Sequence, residues 1–228
     1  MPVYCETGHP FWFMAEPVNT LTNLVIIFAG LAAWRYVRRS SARQPADLMV
    51  LVFLLIATGL GSFAWHSLRT RTALTLDWLP GVLFLLAFVF LWLRALFGPI
   101  AGLLATISVP ASVTALAVLA RPYLIHMVPA RPNPLVFAPF FGVILLLGAA
   151  FVVLTWRRRG APLAGLAGTA LGIGAAAAFF RSIDLASCAI VPFGTHFLWH
   201  ILLSTAAYCC VVLIARLKGG EATASKPA

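Results

Sequence analysis

Residues 48–66 read LMVLVFLLIATGLGSFAWH. No Lys, Arg, Asp or Glu interrupts them. A helix of about 20 apolar residues crosses the hydrocarbon core of a bilayer, so this stretch reads as a membrane span. Similar stretches lie on both sides of it. Seven spans are expected, at roughly 16–34, 48–66, 77–97, 100–119, 135–155, 162–181 and 193–215. Each break has a cause in the sequence. Arg35, Arg38, Arg39 and Arg43 end the first span, and the polar stretch from Ser67 to Thr75 divides the second from the third. Gly98-Pro99 ends the third. Arg121-Pro122 with Pro129 to Pro134 ends the fourth, and Arg157, Arg158 and Arg159 end the fifth.

Composition agrees with that reading. Of 228 residues, 62% are hydrophobic and 10% charged, with a mean hydropathy of +0.98. Soluble domains carry about a quarter charged residues. One core of this size cannot hide so much apolar surface from water. A soluble globular enzyme and a disordered chain are therefore excluded. The net charge of +10 would suggest nucleic acid in a soluble protein. Here the basic residues lie between apolar runs, and no nucleic-acid or protein partner is expected. The expected fold is all-α, a single seven-helix membrane domain over residues 1–216. Residues 217–228 are expected to form a short disordered cytoplasmic tail.

The basic residues also set a direction. One side carries Arg35, Arg38, Arg39, Arg43, Arg94, Arg157, Arg158, Arg159, Arg216, Lys218 and Lys226, and the other Arg69, Arg71, Arg121, Arg131 and Arg181. Eleven against five places the N-terminus outside and the C-terminus in the cytoplasm by the positive-inside rule. Cys5 and Cys188 then fall on the outer side, where disulfides survive. Spacing alone leaves open whether they are bridged or free. Cys209 and Cys210, mid-span in the seventh helix, read as packing residues.

Polar groups inside a bilayer are costly and mark function by default. Glu16, Asn19 and Asn23 open the first span, Ser62 and His66 close the second, and Asp77 opens the third. Asp184 follows the sixth, and His196 and His200 begin the seventh. Odd spans start outside and even spans end there, so all nine residues meet at one face. His196 and His200 are i and i+4, and their rings share a helix face. With His66 they make a three-imidazole set that suits a catalytic zinc keeping one open position. Backbone hydrogen bonding is the bland alternative for each histidine. His9 and His126 match nothing. Ser62, one turn before His66, can donate to a substrate oxygen or bond its own helix carbonyl. Asp77 can act as a base, orient a histidine, or cap a helix. Asp184 can orient a ligand or pair with Arg181, and the structural role is preferred. Asn19 and Asn23 read as interhelical hydrogen-bonding residues. Glu16, ahead of Pro17, can cap a helix or bind a cation.

These residues sit in EPVNTLTN (16–23), SFAWH (62–66), LDWLP (76–80), DLASC (184–188) and HFLWH (196–200). In that order they resemble the alkaline ceramidase family, part of a wider superfamily of seven-span hydrolases that includes the adiponectin-receptor-like proteins. The resemblance spans almost the whole chain and implies a zinc amidase that cleaves ceramide-like lipids to a long-chain base and a fatty acid. It implies His66, His196 and His200 as zinc ligands, Ser62 as an oxyanion donor and Asp77 as the residue that handles the proton. It also implies a Cys5–Cys188 disulfide. Glu6 and Glu16 match two positions of the calcium site of eukaryotic members. Val3 and Gly8 stand where an acid and an amide are expected, and the segment between Glu6 and Glu16 is one residue shorter. Calcium takes six to eight oxygens, so at most a weak calcium site is expected. The short loop from Cys188 to His196 suggests a bacterial member, with its site toward the periplasm.

The alternative from another class is a lipid-binding, receptor-like membrane protein with a structural zinc. A b-type haem protein is disfavoured by the carboxylates beside the histidines. An ion transporter is disfavoured because the polar groups stay near one face.

Overall fold

The structure, a computed structural model, describes residues 4–6, 14–40, 45–127 and 138–224. His9, Val3, Gly8, Arg43, Arg131, Lys226 and the stretch from Pro129 to Pro134 lie outside the described residues. Seven helices follow one another: α1 (Pro17–Arg39), α2 (Pro45–Leu68), α3 (Arg71–Phe97), α4 (Pro99–Met127), α5 (Ala138–Arg159), α6 (Ala161–Ser187) and α7 (His196–Ala224). All seven contain stretches long and apolar enough to cross a membrane. This is an integral, multi-pass architecture.

Helix α1 packs against α2 and α7, α2 against α3, and α6 against α7. Helices α4 and α5 complete the circuit between α3 and α6. Helix α7 also touches α2 and α3, which brings the last helix beside the second and third. The bundle is polarised along its length. Ala33 and Val37 of α1, Leu48 and Leu51 of α2, Trp92 of α3 and Leu213 and Ile214 of α7 build a dry core at one end. Glu16, Asn19, Asn23, Ser62, His66, Asp184, His196 and His200 are buried toward the other. Burying polar groups is costly unless they find partners, so this second end is where such partners are to be sought.

Several helix ends differ from the sequence expectation for one reason: hydropathy stops at a charge, but a helix need not. Helix α3 starts at Arg71, with Thr70 accepting a hydrogen bond from the Ala73 N–H at 3.2 Å. Asp77 is therefore inside the helix and is not its cap. Helix α6 runs past Arg181 and encloses Asp184. Helix α4 continues through Arg121-Pro122 to Met127 and carries His126. The tail expected to be disordered from 217 is helical to Ala224. Leu217 is 1% exposed, and the Lys218 ammonium reaches Asp47 at 2.7 Å. The basic residue extends the helix because its charge is paired while its stem packs.

Candidate metal centre

Three segments converge at the polar end. The chain ahead of α1 lies along the end of α2: the Ala15 N–H donates to the Ser67 carbonyl and the Glu16 N–H to the His66 carbonyl, both at 3.1 Å. This pairing sets the Glu16 side chain beside His66. Across from it, α7 begins with His196 and places His200 one turn deeper. His66, His196 and His200 are all buried, and one ligand atom from each lies within 4.8 Å of the others. Their ring centroids are 4.5–5.2 Å apart.

Hydrogen bonds fix which nitrogens face the cluster. His66 Nδ1 lies 2.5 Å from Glu16 Oε2. As a carboxylate beside the Arg69 guanidinium, Glu16 only accepts, and a His66 that donates to it from Nδ1 keeps its Nε2 lone pair. His200 Nδ1 lies 2.9 Å from Thr22 Oγ1. That hydroxyl donates to the carbonyls of Val18 and Asn19, at 2.9 and 3.1 Å. With its one proton used there, Thr22 accepts from Nδ1–H, and His200 also presents Nε2. His196 Nδ1 is buried with no hydrogen-bond partner among the described residues. An orphaned buried nitrogen costs free energy. Two oriented lone pairs and one orphaned nitrogen fit a divalent metal ion. A hydrogen bond from the distal nitrogen to a carboxylate or hydroxyl is the usual support for such ligands.

Ser62 on α2 and Asp77 on α3 are neighbours at the α2–α3 interface. Gly61 makes this possible. A Cβ there would collide with the Leu76 carbonyl oxygen and come within 3.0 Å of the Asp77 nitrogen. Only a glycine lets α3 approach this closely.

The ceramidase family profile matches residues 3–227. The chain belongs to the ceramidase family. No curated protein matches it. Ceramidases hydrolyse ceramide, and a three-histidine cluster that can hold a metal ion agrees with that family's use of one.

In this member of the ceramidase family the remaining candidates make hydrogen bonds or a disulfide around the cluster. Asp184 lies within α6, and its carboxylate takes backbone donors from two directions. Its Oδ1 accepts from the N–H groups of Thr195 (2.7 Å) and His196 (2.9 Å), and its Oδ2 from Cys5 (3.1 Å). One carboxylate thus caps α7 and anchors the N-terminal segment. Gly194 sits against it at φ +69°, a conformation that favours glycine, and a Cβ there would meet Asp184 and Cys5. Asn19 and Asn23 bond locally and do not bridge helices: Asn19 Nδ2 donates to Glu16 at 3.2 Å and Asn23 Nδ2 to the Asn19 carbonyl at 2.7 Å. Cys5 and Cys188 form a disulfide. Cys209 and Cys210 are free.

Glu6 and Glu16 both lie at the start of α1. Glu6 accepts from the N–H groups of Val18 and Asn19 at 2.7 and 2.8 Å, which neutralises the positive end of that helix. Burial raises its pKa against the pull of those two donors. Glu16 is held by His66, Asn19 and the Arg69 guanidinium, the last at 3.0 Å.

Three further residues belong to the site and escape sequence reading. Tyr4 stacks on His196 at 4.1 Å and stands 5.0 Å from His66. Burial raises the Tyr4 pKa further above 10, so it packs as a neutral phenol. Arg69 adopts φ +54°, unusual for a non-glycine residue, and lies over the Trp65 ring at 4.2 Å while it pairs with Glu16. Thr22 is the third. It lies in the polar run Asn19-Thr20-Leu21-Thr22-Asn23, where nothing in the sequence separates it from Thr20.

Proposed function

We infer that His66, His196 and His200 hold zinc, and that the chain hydrolyses the amide bond of ceramide-like N-acyl lipids to a long-chain base and a fatty acid. The observation that carries this reading is the convergence of three buried imidazoles with ligand atoms within 4.8 Å, in a chain of the ceramidase family. Bound there, zinc would supply Lewis acidity toward water and toward an amide carbonyl.

The chain's own residues divide the remaining work. Glu16 and Thr22 keep the Nδ1 protons of His66 and His200 turned away from the cluster. Asp77 takes the proton from the attacking water at its carboxylate and returns it to the leaving amine nitrogen. Ser62 holds Asp77 through its hydroxyl. Once Asp77 is protonated it is a poorer acceptor, and the Ser62 O–H can turn to the negative oxygen that develops on the substrate. Tyr4, Trp65 and the disulfide-tied N-terminal segment cover the cluster and limit access of bulk water. Exposed Leu74, Leu76 and Trp78 on α3 give acyl chains an apolar approach from the bilayer. Basic residues concentrate at the opposite end of the bundle, which supports an N-terminus outside, a cytoplasmic C-terminus and a periplasmic site in a bacterial inner membrane. The carboxylates of Glu6 and Glu16 are already engaged by N–H groups and by Arg69. That leaves few oxygens for calcium, and calcium dependence is not part of this reading.

The test joins metal content to turnover. Wild type is expected to carry one zinc per chain and to release fatty acid from an N-acyl lipid panel. His200→Ala loses both. Asp77→Asn keeps zinc and loses turnover by about 100-fold or more. An Asp77→Asn variant with normal turnover would remove Asp77 from the mechanism. Folded wild type with zinc and no turnover on any lipid amide would favour a lipid-binding, receptor-like role.

A further inference from the structure

The strongest feature that the ceramidase reading does not use lies at the other end of α1 and α7. A cavity of about 680 Å³ opens there, lined by Arg35, Tyr36, Arg39 and Ser40 of the α1 end and by Tyr208 and Arg216 of α7. Along α7 its lining begins roughly 12 Å from His200 at Tyr208 and reaches roughly 24 Å at Arg216, counting about 1.5 Å per residue. Its volume is within the ~300–1,000 Å³ typical of small-molecule sites.

The lining has one chemical character. Three guanidiniums come from two helices, and two phenols and a serine add hydroxyls. No carboxylate lines it among the described residues. Asp47, at the same end, is already engaged by Arg94 at 3.2 Å and Lys218 at 2.7 Å. Arg216 Nε donates to the Tyr36 hydroxyl at 3.4 Å, which ties the α7 arginine to the α1 wall. Guanidiniums present a planar fork matched to phosphate oxygens, and a basic pocket between spanning helices at this depth suits an anionic head group.

The surroundings choose between a lipid and a free anion. On α1, exposed Phe28 lies one turn before Ala32 on the face that leads to the cavity, and exposed Leu31 lies one turn before Arg35. Exposed Trp34, on the other side of α1, marks the level of the membrane–water boundary, and Ala32 continues the cavity wall one turn deeper. A head group seated among the arginines would lay its acyl chains along this apolar strip. We propose that the cavity between the C-terminal parts of α1 and α7 binds the phosphate head group of an anionic membrane lipid, as a site separate from the histidine centre.

The full chain, purified in a neutral detergent, is titrated with phosphatidylglycerol, phosphatidylcholine or inorganic phosphate, and bound lipid per chain is counted by native mass spectrometry. The expected result is one phosphatidylglycerol per chain, held about tenfold more tightly than phosphatidylcholine. Arg39→Gln with Arg216→Gln abolishes that preference. Arg38→Gln with Arg157→Gln removes the same charge from the same end but outside the lining, and keeps it. Equal loss in both double variants would show diffuse charge attraction and overturn the site. So would wild type with no preference between the two lipids. Displacement of the lipid by an equal concentration of inorganic phosphate would assign the cavity to a soluble anion and overturn the lipid. Should the arginine pair fail to fold, Tyr36→Phe with Tyr208→Phe keeps every charge. It is expected to weaken phosphatidylglycerol binding about threefold, and unchanged binding there counts against the proposal.

Discussion

Glu16 and Thr22 touch no candidate substrate position, yet each decides how a histidine presents itself. With Glu16→Gln the amide competes as a donor and the His66 ring loses its fixed proton. With Thr22→Val the Nδ1–H of His200 is left buried without an acceptor. Each change is expected to weaken metal binding by about 10- to 100-fold, read as faster zinc loss to a chelator from protein that remains folded. Arg69→Gln should act in the same direction but more weakly, because it leaves Glu16 with its histidine and loses only a cation that is 26% exposed. The clustering of the three histidines was legible in the sequence, since ionisable groups stand out in apolar runs. The supporting roles were not. Asn19, Asn23 and Asp184 stood out equally well, but whether such a group bonds its own turn, caps a neighbouring helix or bridges two helices depends on which backbone faces it.

At the scale of the helices, their number and order were legible because apolar runs of this length have few alternatives in a bilayer. Their ends were less so. Thr70, a short-range cap, starts α3 before the apolar run begins, and Lys218 carries α7 beyond its last apolar stretch. The close approach of α2 and α3 was also hidden, since a glycine in a hydrophobic run gives no sign of what it lies against. Gly61→Ala tests that contact. The collision is with backbone, so α3 must shift away from α2. We expect a loss of about 1–3 kcal/mol in stability and at least tenfold in turnover, with zinc retained because none of its proposed ligands lies on α3. Thermal unfolding, metal content and activity of one preparation check all three.

Across the whole molecule, the N-terminal segment is fastened at three points: the disulfide from Cys5 to Cys188, the Cys5 N–H on Asp184, and Glu6 on the start of α1. Tyr4 rides on this fastening. Cys5→Ser, or reduction of the wild type, is expected to leave the seven helices folded, because their packing does not run through the bridge. It should loosen Tyr4 from His196, and chelator access should quicken while helical content by circular dichroism stays constant. Asp184→Ala removes the caps and the anchor together and should cost about 1–2 kcal/mol, measured by thermal unfolding. The position of the histidines in the chain also bears on how the protein is made. His66 is synthesised 130 residues before His196, an interval on the order of 10 s at the ~5–20 residues per second of translation. Until the last helix leaves the translocation machinery, a nascent chain holds only one of the three clustering imidazoles, with no cage for an ion. Asp184 and Cys188 come equally late, so the first residues translated are among the last to find their place. A ribosome that stalls before the seventh helix therefore releases a product without the cluster, and loading with metal can serve the cell as a sign that synthesis was finished.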